Sequence, residues 1–268
     1  MSYWPGKVVL ITGGSAGLGK AISRAVAEAG ARVMLAGRDG EKLKQAIYEL
    51  SQDGFPASGF VADVTQETEA AALIARTVDS YGRLDCLINN VGKSSRGNAL
   101  DTSADEFRES LEVNFLSVVH CTQAAAPHLR ASRGHLVNIG SLASKTVSRY
   151  LGAYPPAKFA LAGYTQQLRY ELGPDGVHVL LVCPGPIARP DAGQRYEEQS
   201  AGLPEGAAQP GGGVNLKGID PHWLAKHILR ACQQRRPELI VPAKARCLFA
   251  ISQLWPTWGD WIIGRMAK

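Results

Sequence analysis

Residues 7–29 read KVVLITGGSAGLGKAISRAVAEA, and this stretch decides the fold of the chain. The aliphatic and β-branched residues at 7–12 predict a short buried strand. A glycine-rich loop follows at 13–19, and the alanine-rich residues 20–29 predict a helix. A strand, a glycine loop and a helix in this order are typical of a site that binds a nucleotide.

Three glycines of this loop each have a separate use in such a site. Gly13 permits a tight turn, Gly17 lets the backbone approach a pyrophosphate, and Gly19 lets the helix pack closely on the strand. The helix N-terminus adds unpaired N–H groups and a partial positive charge, which favour phosphate. A plain glycine-rich turn is the alternative, and the flanking strand and helix argue against it.

Apolar runs and helical patterns alternate along the rest of the chain. Strands are predicted at residues 32–36, 59–62, 84–89, 135–140, 177–182 and 238–241. Helices are predicted at residues 41–52, 66–81 and 103–129, from residue 154 onward, and at 220–235. The alternation predicts an α/β fold, a doubly wound parallel sheet with helices on both faces, in a single domain that spans residues 1–268.

Length, composition and charge narrow the function classes. The 268 residues suffice for one large domain with a sizeable core, and 45% hydrophobic with 20% charged residues is ordinary for a globular protein. The net charge of +5 is a modest excess that suits an anionic ligand at least as well as nucleic acid. The sequence has no basic block, no zinc-finger spacing and no basic–aromatic interleaving, so nucleic-acid binding is not expected.

Cysteine and histidine usage argues against disulfides and metals. The five cysteines are widely spaced and odd in number, which favours a reducing, cytoplasmic location and a role as small buried hydrophobes. His222 and His227 lie five residues apart, which is not the spacing of a helical zinc pair, so no metal is predicted. No secretory signal pattern and no apolar run of roughly 18 residues occurs, so no membrane-spanning helix is expected.

Tyr154 and Lys158 form the clearest candidate catalytic pair. At the start of a predicted helix, two residues four apart share one face. A free tyrosine ionises near pH ~10, and a neighbouring ammonium is expected to lower the pKa of the phenol toward working pH. Ser141, directly after the strand at 135–140, is placed to hydrogen-bond the same substrate oxygen. Such a pair also occurs on solvated helix surfaces, so the pair alone does not indicate a catalytic site. The support for a catalytic role comes from the rest of the chain.

The motifs of residues 7–185, taken together, resemble those of the short-chain dehydrogenase/reductase family. The glycine loop has the pattern Thr-Gly-x-x-x-Gly-x-Gly, and Tyr154-x-x-x-Lys158 matches the family's catalytic pair, with Ser141 at the usual distance before the tyrosine. Three further matches are Asn114 of the catalytic tetrad, Asn89-Asn90-Val91-Gly92 for the family's Asn-Asn-Ala-Gly, and Pro184-Gly185 after the sixth strand.

The resemblance implies a Rossmann fold of about seven strands and a reversible reduction of a ketone or aldehyde. Tyr154 is then the acid/base, Lys158 lowers its pKa and binds the nicotinamide ribose, and Ser141 positions the carbonyl oxygen. Asn114 kinks the helix at 103–129 and holds a water that links Lys158 to solvent. An amide packed against backbone is the alternative for Asn114. The expected partners are a small carbonyl or alcohol substrate and further copies of the chain, in a dimer or tetramer.

The end of the second predicted strand favours NADP(H) over NAD(H). An NAD site places an acid there, whereas this chain has Gly37 followed by Arg38, which can pair with a 2′-phosphate. Ser15 adds a hydroxyl donor from the glycine loop. Asp39 keeps NAD(H) open as the alternative, because a shift of one residue brings an acid to this point.

By resemblance, further cofactor contacts come from the ends of the third, fourth and sixth strands. Asp63 and Val64 lie against the adenine, and Ile187 binds the carboxamide through its backbone. Arg189 stands where a threonine is common in the family, so one family contact is not predicted here. The predicted cofactor contacts are Gly13, Ser15, Gly17, Leu18, Gly19, Arg38, Asp63, Val64, Asn90, Tyr154, Lys158, Pro184, Gly185 and Ile187.

Two departures from the family's usual sequence bear on the substrate site. Pro155 and Pro156 follow the tyrosine, and proline is tolerated in a first helical turn, so the helix is predicted to begin at or near Tyr154. Residues 189–218 are rich in Gly, Pro, Gln and Glu, and a loop of this length at this position predicts a substrate lid.

Residues 244–268 form an aromatic C-terminal segment with basic flanks, and two interpretations stay open. Phe249, Trp255, Trp258 and Trp261 either pack on the fold or at a subunit interface, or enter a membrane surface while the cations meet anionic lipid. Pro256 interrupts a long amphipathic helix and so favours packing over membrane contact. The aromatic residues also hint at an apolar substrate.

Three rival functions are weighed against an NADPH-dependent reductase. An NAD-dependent alcohol dehydrogenase is disfavoured by Arg38. A catalytically silent nucleotide-binding scaffold would not need Ser141, Tyr154 and Lys158. A sugar-nucleotide epimerase or lyase is usually longer and carries a sizeable C-terminal substrate domain, for which this chain has no room.

Overall fold

The computed structural model describes residues 3–189, 196–209, 211 and 217–266. Its strands are β1 Val8–Thr12, β2 Arg32–Gly37, β3 Ala57–Val61, β4 Cys86–Asn89, β5 His135–Ile139, β6 His178–Pro184 and β7 Glu238–Val241. They form one parallel sheet in the order β3-β2-β1-β4-β5-β6-β7. The predicted doubly wound sheet is confirmed, and the order reverses between β1 and β4, where such sheets hold their ligands.

Helices cover both faces of this sheet. They are α1 Gly17–Glu28, α2 Gly40–Gln52, α3 Glu67–Tyr81, α4 Ala104–Leu111, α5 Ser117–Ser132, α6 Tyr154–Leu172, α7 Pro221–Gln233, α8 Ala245–Leu254 and α9 Pro256–Met266. Val9 and Ile11 of β1 belong to the core under α1, α2 and α7, whereas Leu10 belongs to the core under α3, α5 and α6. Alternate residues of one strand thus supply two cores, as a strand period of two requires.

Most predicted bounds agree with the structure to within two residues, and two helices differ further. Helix α1 begins at Gly17 and not at residue 20, because glycine is a poor helix former and the sequence assigns residues 17–19 to the loop. The predicted helix at 103–129 is three elements: α4, a π-helical turn at Glu112–Leu116, and α5. The π turn carries Asn114, so the predicted irregularity at this residue is present as an extra residue in the helical turn.

A chain of hydrogen bonds, buried at its centre, ties the start of the described chain to β5 and β6. The Tyr3 hydroxyl bonds His135 Nε2, the two Nδ1 atoms of His135 and His178 are 2.9 Å apart, and His178 Nε2 donates to Arg236 O at 2.7 Å. Because His178 Nε2 carries a proton, its Nδ1 accepts from His135, and His135 Nε2 accepts from the tyrosine. Burial, followed by the neighbouring His178, lowers the pKa of His135 to about 3, so this ring is neutral.

The aromatic C-terminal segment folds as a helical hairpin, α8 and α9. Pro256 stands at the first position of α9, where proline is favourable, so it starts a second helix. Phe249 is buried as predicted, but Trp255, Trp258 and Trp261 lie on the surface. These tryptophans therefore do not pack on the fold within one chain, and the other part of that prediction, a subunit interface, stays a prediction. No described helix is long and apolar enough to cross a membrane.

The predicted lid at 189–218 is described in part. A backbone bridge between Ile187 and Ile219 joins the two ends of this segment. Within it, Glu205–Ala208 form one turn of 3-10 helix. Residues 190–195, 210 and 212–216 lie outside the described residues, as do the termini 1–2 and 267–268. Its role as a lid stays a prediction.

Candidate active site

Tyr154 begins α6, as predicted, and Lys158 follows one turn later on the same face. Pro155 and Pro156 occupy the first turn, where a missing N–H leaves no helical hydrogen bond unmade. The Tyr154 N–H donates to Leu151 O at 3.1 Å. The two prolines therefore fix the start of the helix and leave the Tyr–Lys spacing intact.

Ser141 meets the phenol of Tyr154 at the carboxyl end of β5. The serine caps a 3-10 turn, Leu142–Ser144, and its Oγ accepts from Ala143 N at 3.1 Å. The Tyr154 phenol lies close enough to Ser141 for the serine to act on its pKa. Burial raises the pKa of Tyr154 to about 12, and the serine only partly opposes this. The expected lowering of this pKa is thus wrong for the chain alone, because burial outweighs the effect of the serine and of nearby charges.

Lys158 is a buried cation with one hydrogen bond to the described residues. Its Nζ donates to Ile139 O at 3.0 Å and lies 5.8 Å from the centroid of the Tyr154 ring. Burial lowers its pKa to about 8. An ammonium has three N–H donors, and Ile139 O is the acceptor that the described residues supply. The remaining donors suit the hydroxyls of a ligand.

Asn114 lies close to Lys158 across a glycine. A Cβ at Gly92 would stand 3.0 Å from Asn114 Oδ1 and 3.2 Å from Lys158 Nζ, so both atoms border the same small space. The Asn114 amide donates to Ser110 O and Lys93 O and accepts from Lys93 N. These contacts agree with the alternative interpretation, in which the Asn114 amide packs against backbone. The role of Asn114 in holding a water stays a prediction.

The glycine loop is tightly turned, and its close contact at Gly19 is with Gly13 O, not with the strand as predicted. Gly13 and Gly17 have φ of 63° and 50°, in the region that glycine adopts most readily. A Cβ at Gly19 would stand 2.0 Å from Gly13 O, which no side chain can satisfy. Asn90 Nδ2 donates to Thr12 O and Gly13 O at 3.2 Å and so joins the end of β1 to the loop after β4.

The ends of β2 and β3 bring Arg38 and Asp63 together. Arg38 Nη1 lies 3.4 Å from Asp63 Oδ2, and the arginine side chain is 74% exposed. Ser15 Oγ would stand 3.0 Å from a Cβ at Gly37, which places this hydroxyl beside the end of β2. Asp39 caps α2 by accepting from Lys42 N at 3.0 Å. The Asp39 carboxylate, on which the NAD(H) alternative depends, is therefore already hydrogen-bonded as the N-cap of α2.

Arg189 is a candidate cofactor residue that sequence reasoning missed. Its Nη2 would lie 3.5 Å from a Cβ at Gly17, so its guanidinium reaches the glycine loop from the segment after β6. The sequence does show an arginine where the family often has threonine. Only the fold shows that this arginine extends to the glycine loop. Pro184, Gly185 and Ile187 lead toward it, with Gly185 N donating to Val241 O at 2.8 Å.

A cavity of about 540 Å³ opens at this end of the sheet. Its lining is largely apolar, with Ser141, Tyr154 and Lys158 among its polar groups. The helical hairpin supplies part of the wall through Leu248 and Ile263, which the sequence did not indicate. Predicted site residues that line the cavity are Leu18, Asn90, Ser141, Tyr154, Lys158, Pro184, Gly185 and Ile187. Those that do not line it are Gly13, Ser15, Gly17, Gly19, Arg38, Asp63, Val64 and Asn114.

Arg96 is a second residue that sequence reasoning missed. It is 6% exposed and lines the cavity, and its guanidinium carbon lies 3.6 Å from the centroid of the Tyr196 ring. It donates to Ala207 O at 2.7 Å and to Gln209 O at 3.1 Å. A buried arginine thus holds the described part of the predicted lid against the loop after β4.

One set of potential metal ligands comes together away from the cavity. The ligand atoms of His135, His178 and Cys232 all lie within 4.8 Å of one another. The two histidine Nδ1 atoms already bond each other, so a metal there would have to break the buried hydrogen-bond chain. Of the cysteines, four are buried as predicted, and Cys247 is exposed, contrary to the expectation.

Comparisons with known proteins agree with this geometry. A family model described as short chain dehydrogenase matches residues 7–200. An uncharacterized oxidoreductase of Bacillus subtilis (strain 168) is 31% identical over 258 residues, which cover 95% of this chain and 70% of that protein. L-fucose dehydrogenase of Bos taurus is 35% identical over 206 residues, covering 76% and 73%.

A solved structure is similar over nearly the same span. A crystal structure of a variant actinorhodin polyketide ketoreductase with NADPH has a TM-score of 0.78 at 26% identity, covering 90% of this chain and 97% of that one. The sheet order, the glycine loop and the family match therefore agree, and the chain belongs to the short-chain dehydrogenase family of oxidoreductases.

Proposed function

We propose that this protein reduces a ketone or aldehyde to an alcohol with NADPH, reversibly. The observation that carries the proposal is the cavity wall, where the Tyr154 phenol stands with Ser141 and, one helical turn away, a buried Lys158. A scaffold that only binds nucleotide has no use for a proton donor, a hydroxyl and an ammonium in this arrangement.

The proposed proton donor is Tyr154. Because burial holds its pKa near 12, the phenol is protonated at neutral pH and ready to give its proton to a carbonyl oxygen. The Ser141 hydroxyl donates a hydrogen bond to the same oxygen and stabilises the charge that develops there. Lys158 stabilises the phenolate that remains and binds ribose hydroxyls with its free donors. NADPH, when bound, supplies the hydride to the carbonyl carbon.

The residues present fit a dinucleotide. Glycines at positions 13, 14, 17 and 19 leave much of the loop backbone without a side chain, and Lys158 has donors that the described residues do not satisfy. The guanidinium of Arg189 stands beside Gly17, where it is placed to pair with a pyrophosphate. Together these groups supply backbone, cation and hydroxyl-binding contacts along one edge of the sheet.

The choice of NADP(H) rests on Arg38. Its exposed guanidinium follows the end of β2 and lies 3.4 Å from Asp63, and the Ser15 hydroxyl borders the neighbouring Gly37; both groups are suited to bind a 2′-phosphate. Asp39, which an NAD site would need, is occupied as a helix cap. The crystal structure of actinorhodin polyketide ketoreductase with NADPH adds support from a relative.

The substrate proposed is a largely apolar carbonyl compound. The cavity is lined by side chains such as Leu142, Val147, Leu151 and Leu248, and it is large enough for a ligand of moderate size. We also propose that the protein works as a homo-oligomer, since members of the family typically do.

The test is titration of the purified protein with NADPH and with NADH, followed by fluorescence or calorimetry. We expect tighter binding of NADPH, and Arg38→Ala should weaken NADPH binding by about tenfold while leaving NADH unchanged. A matched control is Lys44→Ala, which removes an exposed cation of α2. Equal binding of both nucleotides by the wild type would contradict the cofactor choice.

Turnover is tested separately, with a panel of apolar ketones and NADPH. Tyr154→Phe should lower kcat by about 10²–10⁴-fold without changing NADPH affinity, because it removes the proton and little else. Tyr48→Phe removes an exposed hydroxyl on α2 and serves as the control. Retained turnover in Tyr154→Phe would refute the assignment of the acid.

A further inference from the structure

The outer side of the α8–α9 hairpin is a concentrated apolar surface. Leu254, Trp255, Trp258 and Trp261 are 67%, 60%, 71% and 59% exposed, all within eight residues of sequence. Elsewhere in the described chain, large exposed apolar side chains occur singly along the sequence. Exposed apolar side chains concentrated in one short segment in this way mark an interaction surface. We call Leu254, Trp255, Trp258 and Trp261 the tryptophan face.

The packing of the hairpin holds this face outward. On α9, Trp258, Trp261 and Arg265 recur at helical spacing and share one side. On another side of the helix, Gly259 is buried, and a Cβ there would stand 2.5 Å from Ser252 Cα of α8. The two helices are in backbone contact at this point. The indoles therefore cannot turn inward without separating the helices.

The charged side chains of the hairpin, within residues 244–266, are mostly positive. Lys244, Arg246 and Arg265 are exposed, against one acid, Asp260. Within the part of the chain that the structure describes, none of the three cations is in an ion pair. The Arg265 guanidinium lies 4.2 Å from the centroid of the Trp261 ring, so a cation borders the aromatic surface directly.

We propose that the tryptophan face binds the surface of an anionic membrane. Indole rings favour the boundary between headgroups and acyl chains, and nearby lysine and arginine are attracted to anionic lipid. A second copy of the chain fits the face less well. A symmetric contact between two copies would bring the same positive groups together, which opposes association. Charge complementarity thus selects the lipid.

The same hairpin connects this surface to the cavity. Leu248, Phe249 and Ile263 of α8 and α9 line the cavity, while the tryptophans of the same two helices face outward. Seating the hairpin on lipid therefore brings the wall of the apolar cavity to the membrane. An apolar substrate dissolved in the membrane would have a short route to the site.

The experiment measures binding of the full-length protein to vesicles of phosphatidylcholine alone and of phosphatidylcholine mixed with phosphatidylglycerol. It needs neither cofactor nor turnover, so its result is independent of the proposed reaction. We expect binding to the mixed vesicles, with a blue shift of tryptophan fluorescence, and weaker binding at high salt. Trp258→Ala combined with Trp261→Ala should weaken partitioning by about tenfold or more. Arg246→Ala combined with Arg265→Ala should weaken it by about fivefold per charge.

Two controls keep the result specific. Tyr48→Ala removes an exposed aromatic side chain on α2, and Lys42→Ala with Lys44→Ala removes two exposed cations there. Both should bind vesicles like the wild type. Equal binding to neutral and anionic vesicles, or none to either, would overturn the proposal. So would a change in the assembled mass of the tryptophan variant by light scattering with vesicle binding unchanged, since the face would then join copies of the chain.

Discussion

Replacing Lys158 with methionine should make the ligand-free protein more stable. The side chain is 3% exposed, and burial lowers its pKa from 10.5 to about 8. At roughly 1.4 kcal/mol per pH unit, holding the charge inside the folded chain costs about 3 kcal/mol at neutral pH. Methionine has a similar shape and carries no charge, but it gives up the hydrogen bond to Ile139 O, worth about 1 kcal/mol. The expected net gain is about 2 kcal/mol, with turnover lost.

The pH dependence makes this prediction specific. Because the folded-state pKa lies below the unfolded one, the penalty is complete below about pH 8 and disappears as the pH rises toward 10.5. Urea unfolding of wild type and Lys158→Met at pH 7 and near pH 10 should show a gap that closes at the higher pH. Lys44→Met, at an exposed lysine, should show no such gap. A variant less stable than wild type at pH 7, or a gap equal at both pH values, would refute the reasoning.

Three further outcomes are expected. Arg189→Ala should weaken NADPH binding by about tenfold, and Arg189→Lys should recover part of it, because the cation beside Gly17 is placed to meet the pyrophosphate; titration by fluorescence checks both. Gly19→Ala should abolish nucleotide binding and lower Tm, since its methyl group would collide with Gly13 O; calorimetry with and without NADPH separates the two losses. Acid should destabilise the protein through His135. Its folded pKa of about 3 lies below the unfolded 6.5, so stability present above pH 6.5 is lost by about 1.4 kcal/mol per unit on acidification, a slope that His135→Asn should reduce in urea unfolding.

Local patterns in the sequence were enough to predict most of the sheet and the start of the catalytic helix. A parallel strand is recognisable as an aliphatic run because both of its faces are buried. In β6, for example, every residue is buried. Pro155 and Pro156 show a helix start because proline lacks the N–H that later turns need. Gly19 stands out because the first turn of α1 approaches Gly13 O too closely for a side chain.

Features that depend on contacts between distant segments were not predictable in this way. Pro256 was interpreted as an interruption, yet it starts α9, because the hairpin packing at Gly259 supports a second helix. Arg189 was interpreted as a missing contact, yet the fold carries its guanidinium to Gly17. The raised pKa of Tyr154 follows from burial, which a motif does not reveal. Each depends on what the fold brings close, not on spacing in the chain.

Arg96 has a consequence for the speed of the enzyme. Its two hydrogen bonds to the segment after β6 and its stack on Tyr196 have to break together before that segment can leave the cavity. On our proposal that this segment is the substrate lid, its opening is a cooperative event whose barrier lies largely in contacts within the protein. We therefore expect product release to be slow and largely independent of substrate structure. Turnover numbers for good and poor substrates should approach a common ceiling, and selectivity should appear in KM.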